Sequence, residues 1–220
     1  MKLELINSFS PLLLQGMLTT VQVWLATALI SLVLGFLWGI ARCHRLRMPV
    51  FSKALDYITF VLRGVPFYVQ LLIFYFVLPD LIKINLSPIA AGIISLGLCS
   101  AAYTSQLVRG GINAIADEQW EAAWTLGIPK ISTLLYIILP QTIRTILPML
   151  CSELDMLLKS TSIISAIGVL ELTRVGMNII ASEMQVVSVY IIIALMYLAV
   201  SSLLNFIFSL CERKYAYDFR

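Results

Sequence analysis

Residues Leu12 to Ala41 run without a single charged side chain. At about 1.5 Å per residue, a helix of that length exceeds the ~30 Å hydrocarbon core of a bilayer. A helix apolar all round has to be buried in a large core or in lipid. The composition decides for lipid. Hydrophobic residues make up 60% of the 220 positions and charged residues 12%, whereas soluble domains carry about 25% charged residues. Four more apolar stretches follow, at about 55–78, 86–107, 143–167 and 186–210. Arg63 and Gly64 interrupt the second. Pro148 and the polar residues between Ser152 and Ser162 break the fourth. Lys2 and Glu4 precede a first stretch that outruns a secretory h-region, so it reads as a retained membrane helix. The expected fold is an all-α integral membrane protein of about five transmembrane helices. It forms one membrane domain over 1–220, without an internal repeat, a low-complexity tract or a soluble domain.

Loop charges predict the orientation. Arg42, Arg45, Arg47, Lys53, Arg109, Lys130, Arg144, Arg213, Lys214 and Arg220 fall in the first and third connections and the C-terminal tail. Lys2, Lys83 and Arg174 fall on the other side. Basic residues concentrate in cytoplasmic loops. This places the N-terminus outside and the C-terminus in the cytoplasm, in keeping with an odd number of spans. The net charge of +3 implies no general surface for nucleic acid. Cys43, Cys99, Cys151 and Cys211 form no CxxC pair and read as small buried hydrophobes. One histidine, His44, gives no basis for a zinc or haem site.

The connection between the third and fourth spans, at about 113–141, is a polar, helix-favouring interruption between apolar spans. It contains Glu118-Gln119-Trp120-Glu121-Ala122-Ala123-Trp124-Thr125-Leu126-Gly127. Asp117, Glu118 and Glu121 suit the positive end of a helix dipole. Trp120, Ala123, Trp124 and Gly127 share one helical face by their i, i+3, i+4, i+7 spacing. Gly127 offers a left-handed cap, and Pro129 suits the first turn of a second short helix from about Lys130 to Leu139. Periodicity alone leaves two uses for this pair. It is an interfacial anchor held by two tryptophans, or a helix that docks in a protein groove. Its acidic residues would face an anionic leaflet, which favours the groove.

A second polar group lies at membrane depth. Asp155 and Lys159 stand four apart and can pair on one face. Glu153 points elsewhere, on a face that continues through Leu157 to Ser160, and has no partner in its own helix. Intramembrane charges are costly and are functional candidates by default. Arg63, Tyr68 and Gln70 form another cluster, where Gly64 and Pro66 predict a break in the helix. Such a break is tolerated where the backbone is buried in protein or lines a cavity. Tyr103 and Gln106 can face the same cavity.

Several motifs resemble one family. Glu121-Ala122-Ala123, Gly127 and Ile138-Leu139-Pro140-Gln141 resemble the EAA loop of permease subunits of bacterial ABC importers. Arg63-Gly64-Val65-Pro66 with Val69-Gln70 resembles the RGTP…VQ segment of the polar amino-acid branch, which includes histidine, glutamine, arginine and opine permeases. Ala102-Tyr103 with Arg109-Gly110-Gly111-Ile112 resembles its AAY…RGGI segment. Lys159-Ser160-Thr161-Ser162 resembles KDTS, and Gly168-Val169-Leu170-Glu171-Leu172 resembles GVxEL. Three positions depart from the pattern. Gln106 replaces a common glutamate, Glu118 a common glycine, and Ser160 the aspartate of KDTS, which removes a charge from the expected pathway.

The resemblance implies a multi-pass protein of the bacterial cytoplasmic (inner) membrane that imports polar amino acids by alternating access. Basic amino acids such as arginine or histidine, glutamine, and other amine-bearing solutes such as an opine or cystine stay open as cargo. Glu153, Ser160, Leu157, Gln70, Tyr103 and Gln106 would line the substrate pathway. Glu121, Ala122, Ala123, Gly127, Trp120 and Trp124 would couple to an ATPase. The expected partners are ABC ATPase subunits, a second permease subunit, identical or similar, an extracytoplasmic solute-binding protein and membrane lipid. No GxxxxGK[ST] phosphate loop occurs, so ATP is expected to be hydrolysed by the partner, with no cofactor bound directly. The chain lacks HExxH and GxSxG motifs, which argues against an intramembrane enzyme. A non-transporting membrane assembly protein is the competing class.

Overall fold

The computed structural model describes the backbone of residues 3–216 and the side chains of 9–214. Lys2 and Arg220, counted in the charge balance, lie outside the described residues, as does the side chain of Glu4. The described chain is helical, in the order α1 (Leu3–Ala41), α2 (Pro49–Gly64), α3 (Phe67–Ile82), α4 (Pro88–Ala114), α5 (Asp117–Thr125), α6 (Lys130–Ile167), α7 (Leu172–Glu183) and α8 (Val186–Ala216). Helices α1, α4, α6 and α8 are long and apolar enough to cross a membrane. The pair α2 and α3, bent by 105° at Val65–Pro66, makes a fifth span if counted as one. Ser87 starts α4 by accepting from the backbone N–H of Ala90 at 3.2 Å, an N-cap that satisfies one orphan donor.

Helices α1 and α4 form the centre. Lipid tails are as apolar as leucine, so helices in membranes associate through close packing and polar contacts. Gly35 and Gly39 supply the close packing. A Cβ at Gly35 would lie 2.5 Å from Thr104, and one at Gly39 2.6 Å from Val108. The polar contacts come from a buried hydroxyl cluster, in which Ser31 of α1 meets Ser100 at 2.8 Å and Thr104 at 2.9 Å on α4. Trp24 joins α6 to this centre by donating Nε1–H to the Leu154 carbonyl at 2.9 Å. Leu71, Leu96, Leu158 and Ile164 fill the adjoining core. Cys43, Cys99 and Cys151 are buried free thiols, while Cys211 is exposed.

Three local expectations change. The segment Arg109-Gly110-Gly111-Ile112, read as part of a connection, is the last turn and a half of α4. Gly111 lets α4 pack directly on Ile146 and Thr142 of α6. The helix expected to end near Pro140 does not end there. It runs from Lys130 into the fourth span as far as Ile167. A π turn makes this possible. Leu139 donates its N–H five residues back to Leu134, which absorbs the interruption just before a proline that has no N–H to give. The same arrangement precedes Pro79, where Leu78 donates to Ile73. The face built from Trp120, Ala123 and Trp124 also divides. Trp120 is 8% exposed and Ala123 3%, but Trp124 is 80% exposed. Trp124 lies about 6 Å further along the helix axis than Trp120, beyond the apolar cluster of Cys43, Val108, Ile112 and Leu134 that covers the first ring.

Candidate functional site

The break between α2 and α3 shapes the main cavity. Breaking a helix frees backbone carbonyls that lipid cannot satisfy. Gln70, one turn into α3, fills that need: its Nε2 donates to Leu62 O at 2.6 Å and to Val65 O at 2.7 Å. Gln70 is buried and lies behind the break rather than on the cavity wall. The family resemblance implies a place for it in the substrate pathway. In the structure its amide braces the wall from the rear, because its Nε2 is taken up by the freed carbonyls.

The cavity, of about 560 Å³, lies between the break, α4 and α6. Arg63 to Phe67 form one wall. Cys99, Ser100 and Tyr103 of α4 form the second, and Glu153, Leu157 and Ser160 of α6 the third. Of the residues expected in the pathway, Glu153, Leu157, Ser160 and Tyr103 therefore meet here. Gln106 lines a neighbouring pocket of about 380 Å³ that shares Tyr103, Glu153 and Met156 with the first.

Glu153 accepts from Ser100 Oγ–H on Oε1 at 2.8 Å. Ser100 in turn meets Ser31, so the hydroxyl cluster of the α1–α4 core holds one carboxylate oxygen. Arg63 donates Nε–H to the Thr59 carbonyl at 3.2 Å. Among the described residues neither charge is in an ion pair. The contrast with Asp155 is local and sharp. Asp155 takes Lys159 Nζ at 2.6 Å and Ser201 Oγ at 2.5 Å, so that pair ties α6 to α8 and faces away from the cavity. Ser160 donates to Met156 O at 2.9 Å and brings no charge.

At the basic end of the bundle, residues 42–48 cross beneath α2, α4 and α5. Arg42, almost fully buried, donates Nε–H to Asp56 at 2.7 Å and Nη1–H to Ser105 at 2.6 Å. Arg47 reaches Asp56 at 2.9 Å and Arg109 reaches it at 3.4 Å. Arg45 pairs with Asp117 at 2.7 Å and lies 3.9 Å from Glu121. One short segment thus grips α2 through Asp56 and α5 through Asp117. Helix α5 ends in a Schellman motif. Gly127 at φ +75° donates to Trp124 O, and Ile128 donates to Ala123 O at 3.0 Å, which satisfies two orphan carbonyls. A Cβ on Gly127 meets nothing within 4 Å. Its constraint is the left-handed backbone, not space. Glu121, Ala122 and Trp124 remain exposed, with Trp124, Arg45 and Lys130 at the rim of a further pocket of about 520 Å³.

Sequence reasoning singled out neither Asp56 nor Glu171 as a site residue. Asp56 sat at the edge of an apolar span, a visible signal whose three arginine partners come from elsewhere in the chain. Glu171 is completely buried. It caps α7 by accepting from the N–H groups of Thr173 and Arg174, and it accepts the Tyr197 hydroxyl at 3.0 Å. Burial pushes its carboxyl above the ordinary range, and these donors pull it back.

A broken helix thus lines a cavity shared with α4 and α6, and a short exposed helix is held by an ion pair at the basic end. The chain belongs to the family of binding-protein-dependent transport system inner membrane components, whose description matches residues 31–217. It is a multi-pass permease subunit of the inner membrane. It is 34% identical over 204 residues to the arginine transport system permease protein ArtQ of Bacillus subtilis (strain 168), covering 93% of this chain and 92% of that one. It is 33% identical over 205 residues to the glutamine transport system permease protein GlnP of Escherichia coli (strain K12), covering 93% of each. Its fold matches a crystal structure of an amino acid ABC transporter with histidines, at a TM-score of 0.86 and 30% identity over 95% of this chain and 96% of that one. It also matches an inward-facing MetNI methionine ABC transporter at a TM-score of 0.80 and 16% identity, over 94% and 98% of the two chains. That second likeness concerns the fold alone.

Proposed function

We propose that the chain forms half of the membrane pathway of an importer that carries polar amino acids into the cytoplasm by alternating access. The observation that carries this reading is the cavity of unpaired Arg63 and Glu153 at the α2–α3 break. Relatives named for arginine and glutamine transport support the cargo class. ATP is hydrolysed by separate ATPase subunits that dock on α5 through Trp124, Glu121 and Ala122. The excess of arginines and lysines at this end supports a cytoplasmic position for it. A second permease subunit completes the pathway, and a solute-binding protein delivers the amino acid from the opposite side.

Residues 42–48 supply the transmission. When the ATPase shifts α5, Arg45 carries the motion into the segment, and Arg42 and Arg47 pass it to Asp56 on α2. The far end of α2 is the cavity wall at Arg63–Pro66, so the wall moves with the docking helix. Such a motion would be a hinge about the break. The test is reconstitution with the ATPase and binding protein in proteoliposomes. Amino-acid uptake that requires internal ATP is the expected result. Full ATPase assembly with no uptake of any amino acid would overturn the reading in favour of an assembly role.

A further inference from the structure

We propose that the pocket between α5 and the first turn of α6 binds the phosphodiester headgroup of an anionic glycerophospholipid, with Lys130 and Arg45 on the phosphate. The pocket holds about 520 Å³, and its charged lining residues are Arg45 and Lys130, both positive. The rest of the lining is mainly apolar, from Trp120, Trp124, Ile128 and Pro129. None of the three acids of α5 lines it, so an anion there meets no carboxylate on the wall. Arg45 turns Nε and Nη2 to Asp117 at 3.1 and 2.7 Å, which leaves Nη1 as a donor. Among the described residues Lys130 is in no ion pair. Asp117 balances Arg45, so the pocket keeps one uncompensated positive charge, that of Lys130. A phosphodiester carries one negative charge and accepts hydrogen bonds from both cations.

The surface around the pocket indicates what carries the phosphate. Leu126 before it, and Ile131, Leu135 and Tyr136 after it, are exposed. Ile131 and Leu135 stand one turn apart at the start of α6, which runs on into the fourth span. A run of exposed apolar side chains marks an interaction surface. At the end of a membrane span that surface lies where acyl chains meet headgroups, the level at which tyrosine and tryptophan are enriched. Basic pockets at the cytoplasmic ends of membrane helices recognise anionic headgroups. A free phosphate would use the two cations and leave the apolar rim idle. A zwitterionic lipid would bring a further cation beside Lys130 and leave its charge uncompensated. The site is separate from the cavity at the α2–α3 break and needs no cargo. A lipid seated in it fills the space behind the docking helix, at the turn around Gly127.

The test is native mass spectrometry of the full-length permease with its ATPase, released from detergent. Phosphatidylglycerol or phosphatidylcholine with the same acyl chains is added at rising concentration. The complex should retain phosphatidylglycerol at a concentration at least fivefold lower than phosphatidylcholine. Lys130→Gln, at an exposed position, should raise the concentration needed at least fivefold, and Lys130→Arg should restore retention. Lys53→Gln removes a basic-end charge outside the pocket and should leave retention unchanged. Glycerophosphoglycerol, the headgroup without chains, should not displace the lipid at equal concentration. Equal retention of the two lipids, unchanged retention in Lys130→Gln, or the same loss from Lys53→Gln would each overturn the proposal. Displacement by glycerophosphoglycerol would give the pocket to a soluble phosphodiester. Phosphatidylglycerol held by the permease alone but lost on ATPase binding would give it to an acidic side chain of the ATPase. Either result also overturns the lipid assignment, and none of these outcomes bears on the transport reading.

Discussion

The cavity and the basic end use the same residue types in opposite ways. At the basic end the acids are held by arginines: Asp56 by Arg42, Arg47 and Arg109, Asp117 by Arg45, with Glu121 at 3.9 Å from the same Arg45. In the cavity Arg63 and Glu153 face shared space, and among the described residues neither joins an ion pair. Paired charges cancel locally and hold helices in place. Unpaired charges in a low-dielectric setting keep the capacity to bind, at a cost to the empty state. The difference separates frame from site more clearly than residue identity does. Asp155 and Glu153 are two positions apart on α6, and among the described residues only Asp155 is in an ion pair.

Breaking the frame should cost most. Asp56→Ala leaves Arg42 buried with its charge uncompensated and removes the anchor of two further arginines. Removing one partner of a buried pair costs on the order of 3 kcal/mol. Thermal melting in detergent should show a marked fall and reduced recovery of folded protein. A melting temperature equal to wild type would mean that the hub carries no stability.

Ser100→Ala should have the next largest effect, and in the cavity. It takes the donor from Glu153 Oε1 and breaks the link to Ser31, with a loss of about 1–2 kcal/mol. Binding of L-glutamine should weaken about tenfold, with little change in ATP hydrolysis without substrate. Unchanged binding would detach the hydroxyl cluster from the site.

Gly127→Ala probes the Schellman turn. A non-glycine residue in the left-handed region costs about 1 kcal/mol or more. The expected outcome is lower transport per ATP hydrolysed at normal complex assembly, with Gly127→Asn milder than Gly127→Ala. Equal transport-to-hydrolysis ratios in all three proteins would remove the turn from coupling. The smallest stability effect should come from Asp117→Asn. Asp117 is exposed, and such ion pairs are worth about 0.2–1 kcal/mol. A large drop in melting temperature would show that the pair belongs to the frame's core.

Local rules made much of this legible in the sequence. The apolar spans, the i, i+4 pair of Asp155 and Lys159, the break at Gly64–Pro66 and the left-handed cap at Gly127 each depend on residues a few positions apart. Contacts across the fold were not legible in the same way. Glu153 looked partnerless because Ser100 is on another helix. Gln70 looked like a pathway residue because the carbonyls it satisfies are freed only by the 105° bend. Trp120 and Trp124 share a face by spacing, yet only the first lies over the bundle. Pro140 looked like a helix end because a π turn leaves no sequence mark that a period of 3.6 would catch.

Under the proposed function, the unpaired cavity charge serves transport and the paired charges serve the fold. Glu153→Gln tests it directly, measured as ATP-dependent L-glutamine uptake in proteoliposomes beside thermal melting of the same preparation. Uptake should fall at least tenfold while the melting temperature holds or rises, since a membrane-depth charge has been removed. Undiminished uptake, or a collapse in stability like that expected of Asp56→Ala, would contradict it.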